Sequence, residues 1–421
     1  MKDQFLQIFQ TATLKQSVLT IVSTILNGAL GISFYIILAR NLGPSSFGIF
    51  ALAVISLTLI SDITNLGTDT GLIRFVGKYF SKESGIALKF LKLGLEVKIF
   101  SWLVILMFGL LLTPFVAESI FLKSELIIPL RLSLIGAGGA LLFSFSTSAV
   151  QAYQKFLTWS WLTVGTNGLR LAVLFCMILV GSLNLYTGLW IYIAIPFLGF
   201  LISLLILPKF LFVKNELTVA SEFFHYNKWV ALFIIVAAIS SRLDTYLVAR
   251  FLPTSSIGIY SAASQVAGVI PQLVFAIATV VAPKLASFTT KAQVITYLKK
   301  LQILVLGLAG LGLLFLPAVF FVIPFLFGQA YESSIHIFII LFIAQLIFLI
   351  SLPVHQAIFY YFAKPAVFVV VSLIHLLIVS ILGFLMVTRY GLEGAALTVL
   401  VGSISNLVIP SIWVIVRFKK I

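Results

Sequence analysis

Charge is scarce in this sequence, and negative charge scarcest. Only 9% of the 421 residues are charged, with 12 Asp and Glu against 27 Lys and Arg, where a soluble domain carries about 25%. So few charges cannot cover a water-facing surface, which excludes a soluble globular domain. Cysteine occurs once, as Cys176 inside an apolar stretch, so neither disulfides nor thiol chemistry are expected. There is no Asp-x-Asp to hold a metal-bound sugar nucleotide, no Cys/His set at ligand spacing and no phosphate loop. No metal, no cofactor, no direct ATP hydrolysis and no enzymatic role are expected. A cleavable leader is not expected either, because "MKDQFLQIFQTATLKQ" spaces Phe5, Ile8, Phe9 and Ala12 as a surface helix does.

What the chain has instead is apolar length. Hydrophobic residues make up 61%, gathered into stretches near the ~20 residues that cross a bilayer as a helix. Twelve such spans are predicted: 17–39, 47–68, 99–117, 127–150, 157–181, 188–207, 228–249, 257–282, 301–325, 335–358, 365–387 and 394–416. None alternates apolar with polar, and in lipid a helix satisfies its own backbone. Lys and Arg fall mostly on one side. Only Arg40, Lys123, Arg250 and Arg389 lie in loops on the other, which puts both termini in the cytoplasm. The net charge of +15 therefore reads as topology and attraction to anionic headgroups, and no nucleic acid is expected as a partner. Within "KYFSKESGIALKFLKLGLEVK" (78–98), Lys89, Lys92 and Glu96 share one helical face, as an interfacial lead-in to the third span would.

One loop occurs twice. "ARNLGPSSFGIFALA" (39–53) returns 210 positions later as "ARFLPTSSIGIYSAA" (249–263). Each copy ends a helix at Arg, turns through Pro and two serines, and restarts at a glycine (Gly48, Gly258). A weaker echo, "QAYQKF" (151–156) and "YYFAKP" (360–365), falls in the same register. An even number of spans separates the copies, so the halves are parallel repeats about an axis along the membrane normal. The expected organisation is a six-helix lobe over 1–208, a cytoplasmic linker over 209–225 and a second six-helix lobe over 226–421, with a cargo cavity between the lobes.

The stretches that carry the repeat also carry a family likeness. "FYIILARNLGPSSFGIFALAVISLTLISDITNLGTDTGLIRF" (34–75), "SRLDTYLVARFLPTSSIGIYSAASQVAGVIPQLVFAIATVVAPKLA" (241–286) and "YGLEGAALTVL" (390–400) resemble the polysaccharide-export, O-antigen-type proteins of the multidrug/oligosaccharidyl-lipid/polysaccharide (MOP) flippase superfamily. The resemblance implies an all-α, MATE-like fold of twelve transmembrane helices in a multi-pass protein of the inner, cytoplasmic membrane. It also implies alternating-access movement of an oligosaccharide on undecaprenyl pyrophosphate, for O-antigen, capsule or exopolysaccharide. The expected partners are that lipid-linked oligosaccharide, membrane lipids and a polysaccharide polymerase. Span 1 offers Ser23, Asn27 and Ser33 and no charge, unlike lipid II flippases, which argues against a peptidoglycan role.

Charges inside spans are costly and mark function or pairing. Arg170 in span 5 and Arg242 in span 7 are candidates to grip the pyrophosphate, since guanidinium is a multi-donor charge that does not titrate. Arg131, at the outer end of span 4, can snorkel. The structural alternative is an ion pair of these arginines with Asp244 or Asp62. Arg242 and Asp244 are two apart and cannot pair face to face on one helix. Asn167, Gln265 and Gln272 are candidates for sugar hydroxyls, or for interhelical hydrogen bonds. Asp62, ahead of Asp244, and His375 are the candidates for coupling to an ion gradient; Asp69 is placed at the interface. Two other transporters remain as alternatives, an ion-coupled drug or cation antiporter of the same superfamily and, more distantly, a major-facilitator sugar transporter.

Overall fold

The computed structural model describes residues 12–286, 288, 290–364 and 366–420; Phe5, Ile8 and Phe9 lie outside them. Helices account for nearly everything described. They are α1 (Ala12–Asn65), α2 (Thr68–Tyr79), α3 (Ser84–Phe115), α4 (Ile127–Ala152), α5 (Phe156–Leu179), α6 (Leu185–Ile206), α7 (Leu217–Ser240), α8 (Leu243–Phe251), α9 (Thr254–Ala267), α10 (Val269–Ala286), α11 (Lys291–Leu314), α12 (Val319–Phe327), α13 (Ser334–Gln356) and α14 (Ala366–Lys420). Ten helical stretches are long and apolar enough to cross a membrane. The longest two each contain one non-helical residue, Gly43 in α1 and Gly391 in α14. Among the described residues the expected spans 1 and 2 fall in the one stretch of α1, and spans 11 and 12 in that of α14.

Three expected spans are not continuous α-helices: 257–282 breaks at Gly268 between α9 and α10, 301–325 breaks between α11 and α12, and 228–249 is the third. The stretch 228–249 is interrupted at Ser241–Arg242, where α7 ends and α8 begins. Arg242 takes the N-cap position of α8 with φ −126° and ψ −2°, outside helical geometry.

The chain forms two compact units, one from the segment ending at Asn41 plus Leu52–Ala238, the other from Leu42–Ala51 plus Ile239–Ile421. The first is built on aromatic packing. Phe75 of α2 stacks on Phe90 of α3 with centroids 4.7 Å apart, and Phe145, Phe210 and Phe223 join the same cluster. The second has an aliphatic core of α10, α11 and α13 side chains, Val281, Leu285, Val305 and Leu349 among them.

The turns of the two halves also match. Left-handed backbone is rare outside turns, yet three such residues in the first half have counterparts in the second. Leu122 (φ 57°) answers to Gly328 (φ 94°), Gln154 (φ 57°) to Ala363 (φ 50°), and Gly181 (φ 69°) to Gly391 (φ 59°). The weak echo "QAYQKF"/"YYFAKP" is one of these. In each copy a left-handed residue precedes a lysine whose N–H closes the helix end, Lys155 onto Val150 and Lys364 onto Ile358, both at 3.1 Å.

The stronger echo has a direct explanation. Gly48 and Gly258, the matching glycines of the repeated loop, pack against each other. A Cβ on Gly48 would collide with the Thr254 carbonyl oxygen and lie 2.8 Å from Gly258 N; one on Gly258 would collide with the Pro44 carbonyl oxygen and lie 3.1 Å from Gly48 N. Pro44 and Thr254 are themselves matching positions, so the contact is reciprocal. Backbone cannot retreat as a side-chain tip can. Gly258→Leu is expected to cost about 1–3 kcal/mol by overpacking, read as a lowered melting temperature in detergent. Gly268→Leu, where a Cβ meets nothing nearer than 3.3 Å, serves as the control. Equal melting temperatures for the two variants would refute the contact's importance.

Candidate functional site

The most developed polar cluster lies in the first unit, around Arg170. Helix α5 carries Asn167 and Arg170 three residues apart, hence on one face. Arg170 Nη1 donates to Asn167 Oδ1 at 3.0 Å, and Nη2 to the Tyr192 carbonyl at 3.3 Å. The guanidinium also lies 4.1 Å from the Tyr192 ring centroid, where the ring face attracts a cation. Asn167 in turn donates its amide to Asn27 Oδ1 at 2.7 Å. The Tyr35 ring sits 6.1 Å from that of Tyr192. Arg170 Nε is buried without a hydrogen-bond partner, and no carboxylate pairs with Arg170 among the described residues.

The Tyr192 carbonyl is available for a reason that the sequence contains. Four residues on, inside α6, stands Pro196, which has no N–H to return the helical bond. The freed acceptor is taken by Arg170. The second unit uses the same device. Pro410 stands four residues after Asn406 inside α14, and the Asn406 carbonyl is met by His355 Nε2 at 2.9 Å. A carbonyl can only accept, so the hydrogen resides on Nε2.

The other candidates are dispersed. Arg131 is exposed near the start of α4, and Asp62 is half-buried in α1. Asp244, in the first turn of α8, accepts the hydroxyl of Tyr260, which is wholly buried in α9. Gln265 is half-buried in α9, and Gln272 is exposed in α10. His375 packs on Gly402, where a Cβ would come 2.6 Å from its Nε2. Of the arginines and amides proposed for cargo, Arg170 and Asn167 are brought together by a hydrogen bond.

A buried ion pair escaped the sequence reading. Lys98, fully buried, lies 2.8 Å from Asp69 Oδ1 and donates to Ser144 Oγ at 2.7 Å and to the Leu141 carbonyl at 3.3 Å. Asn65 donates to the other carboxylate oxygen of Asp69 at 2.8 Å. Asp69 is thus not merely interfacial. The signal was in the spacing, because Ala87, Phe90, Leu91, Gly94 and Leu95 form the buried stripe of α3 and Lys98 continues it.

The opposite face of α3 carries Lys89, Lys92 and Glu96. It holds the linker. Lys89 binds Glu216, Lys92 donates to the Val213 carbonyl at 2.8 Å, and Asn215 donates to Glu96 at 2.9 Å. The Lys89 hydrogen bond, assisted by the Thr218 hydroxyl, holds the Glu216 carboxyl below the usual carboxylate range. The bond persists above that lowered value and is lost as pH falls through it.

The Lys98–Asp69 pair is testable by a double-mutant cycle. Lys98→Met alone leaves Asp69 without its cation, and Asp69→Asn alone strands a buried ammonium. Removing one partner of a buried pair costs about 3–5 kcal/mol, whereas replacing both is nearly neutral. The double variant is expected to melt above Asp69→Asn. Additive losses would show that the two charges are independent.

With this geometry in place, likeness to known proteins becomes informative. The sequence profile described as polysaccharide biosynthesis protein matches residues 13–289, well over half of the chain. No curated protein matches. Among solved structures, an inward-facing multidrug-resistance MATE family transporter of the MOP superfamily aligns with a TM-score of 0.75 at 13% identity, covering 96% of this chain and 98% of its own. The lipid II flippase MurJ in its inward closed conformation aligns at 0.74 and 16% identity, covering 96% and 89%. A MOP superfamily transporter from Pyrococcus furiosus aligns at 0.66 and 14% identity, covering 98% and 97%. The chain belongs to the polysaccharide biosynthesis protein family and has the fold of the MOP superfamily's flippases and transporters.

Proposed function

We propose that the protein is a flippase for an oligosaccharide carried on undecaprenyl pyrophosphate, acting by alternating access in the cytoplasmic membrane to supply O-antigen, capsule or exopolysaccharide synthesis. The observation that carries this reading is Arg170, a cation in the body of α5 that is braced by Asn167, Tyr192 and the carbonyl freed by Pro196, yet has no carboxylate partner among the described residues. An uncompensated guanidinium with N–H groups to spare is suited to a phosphate anion. The family points to a polysaccharide pathway. The Pyrococcus furiosus transporter is described as having a binding pocket of reverse polarity that suggests a different function; within this fold, then, the charges of the individual chain must decide the cargo. A cationic drug would require a carboxylate where this cluster presents an arginine.

The measurement is flipping of a labelled lipid-linked oligosaccharide in proteoliposomes. Arg170→Ala is expected to lower the rate at least about tenfold, as loss of a charge-assisted pair implies, with protein level unchanged. Arg170→Lys should restore part of it, since Lys keeps the charge and loses the fork. Pro196→Ala returns an N–H to the Tyr192 carbonyl, so it should slow flipping while leaving the protein at least as stable. Wild-type flipping by Arg170→Ala would remove the pyrophosphate role.

Transport is further proposed to draw on a proton or sodium gradient through Asp62, ahead of Asp244. A carboxylate exposed to each side in turn biases the two states through its protonation. In the same vesicles an imposed gradient should accelerate the wild type and not Asp62→Asn. Flipping indifferent to any gradient, or an Asn variant that still responds, would sink the coupling.

A further inference from the structure

We infer that a second binding site, distinct from the Arg170 cluster, lies where α7 begins and receives the phosphate headgroup of an anionic phospholipid. A cleft of about 520 Å³ opens there, within the range of small-molecule sites and wholly inside the first unit. Its polar lining is Thr68, Ser221, His225, Asn227 and Lys228. Asn227 is a buried member. The residue is 3% exposed, and neither its Oδ1 nor its Nδ2 has a hydrogen-bond partner among the described residues. The carboxamide is wedged against Gly71, where a Cβ would sit 2.6 Å from both of its polar atoms. A buried carboxamide left unsatisfied is costly. Its polar atoms are enclosed against Gly71, so the groups that can meet a headgroup in the cleft are the exposed Lys228 and His225.

The charge around the cleft selects an anion. Lys228 and His225 are exposed at its mouth, and no carboxylate lines it. The acids next in sequence to its lining residues Thr68 and Ser221 are already paired, Asp69 with Lys98 at 2.8 Å and Glu222 with Lys78 at 3.7 Å. Lys228 forms no ion pair among the described residues; its ammonium lies 5.7 Å from the Trp229 ring centroid. The rest of the lining selects a lipid over a free anion. Leu66, Val97 and Ala231 form an apolar wall, and Trp229 beside it is 68% exposed, as an aromatic anchor at a membrane interface is. Inorganic phosphate would leave that wall unused, and a phosphocholine lipid would bring its own cation to Lys228. The site is on the side that the Lys and Arg distribution assigns to the cytoplasm, where anionic lipids meet basic juxtamembrane residues. The inference does not depend on the identity of the transported cargo.

The test is native mass spectrometry of the intact protein titrated with phosphatidylglycerol, phosphatidylcholine or inorganic phosphate. The wild type should retain one phosphatidylglycerol more tightly than the rest, not displaced by millimolar phosphate and not matched by phosphatidylcholine. Lys228→Gln should weaken that adduct about fivefold, the factor expected of one surface lysine, and His225→Gln with Lys228→Gln further still. Both side chains are exposed, so the variants should fold. Lys284→Gln with Lys300→Gln, at the separate cleft beside Tyr297, should leave the adduct intact. The site is overturned if the adduct survives in the Lys228 variants, if it is lost only in the Lys284 variant, or if phosphatidylcholine or free phosphate binds equally well.

Discussion

In hydrocarbon a backbone N–H has no water to turn to, and the rest of this structure follows from that constraint. It makes every apolar stretch a helix and confines each change of direction to a few residues. Those residues are where the chain departs from helical geometry, at Gly43, Leu122, Gln154, Gly181, Gly328, Ala363 and Gly391. It also makes any interruption of the helical ladder an event with consequences. Where Pro196 and Pro410 withhold an N–H, the carbonyl left over is claimed by a basic side chain from another helix. The polar architecture of this membrane protein is in part a record of which carbonyls its prolines set free.

Charge obeys the same economy. Lys98 is kept in the first unit because Asp69, Ser144 and a carbonyl surround it. Arg170 is kept on amide, carbonyl and ring, without an acid among the described residues. The first is a closed arrangement and the second an open one. An ion pair completed within the protein has little to offer a ligand, whereas a guanidinium supported only by neutral groups retains its charge for one. That contrast, more than the presence of arginine, separates a structural charge from a candidate for cargo.

Much of this was legible in the sequence. The apolar stretches and the repeated loop depend on local chemistry, so composition and spacing were enough to read an all-helical membrane protein, and the resemblance of the quoted blocks pointed to its family. Arg170 and Asn167 could be paired from their spacing alone. What spacing could not supply was the partner from another helix. Asp69 and Lys98 are 29 positions apart, and only the packing of α2 on α3 shows them to be neighbours, although the buried stripe of α3 marked Lys98 as facing inward. The face of Lys89, Lys92 and Glu96 was correctly drawn as polar, but a polar face satisfied by membrane surface and one satisfied by a returning linker look alike in sequence. The break at Arg242 was invisible for a similar reason, since its residues would suit a continuous helix.

The reciprocal contact of Gly48 with Gly258 bears on how such a chain can change. Each of these positions is both a residue and the mould for its own copy. A side chain at either glycine would enter the same gap, so enlarging one forecloses room for the other. The matching neighbours differ, Pro44 against Thr254 and Phe47 against Ile257, while the glycines are the same, and neither can enlarge unless the backbone opposite withdraws. What the two copies hold in common here is a lack of room.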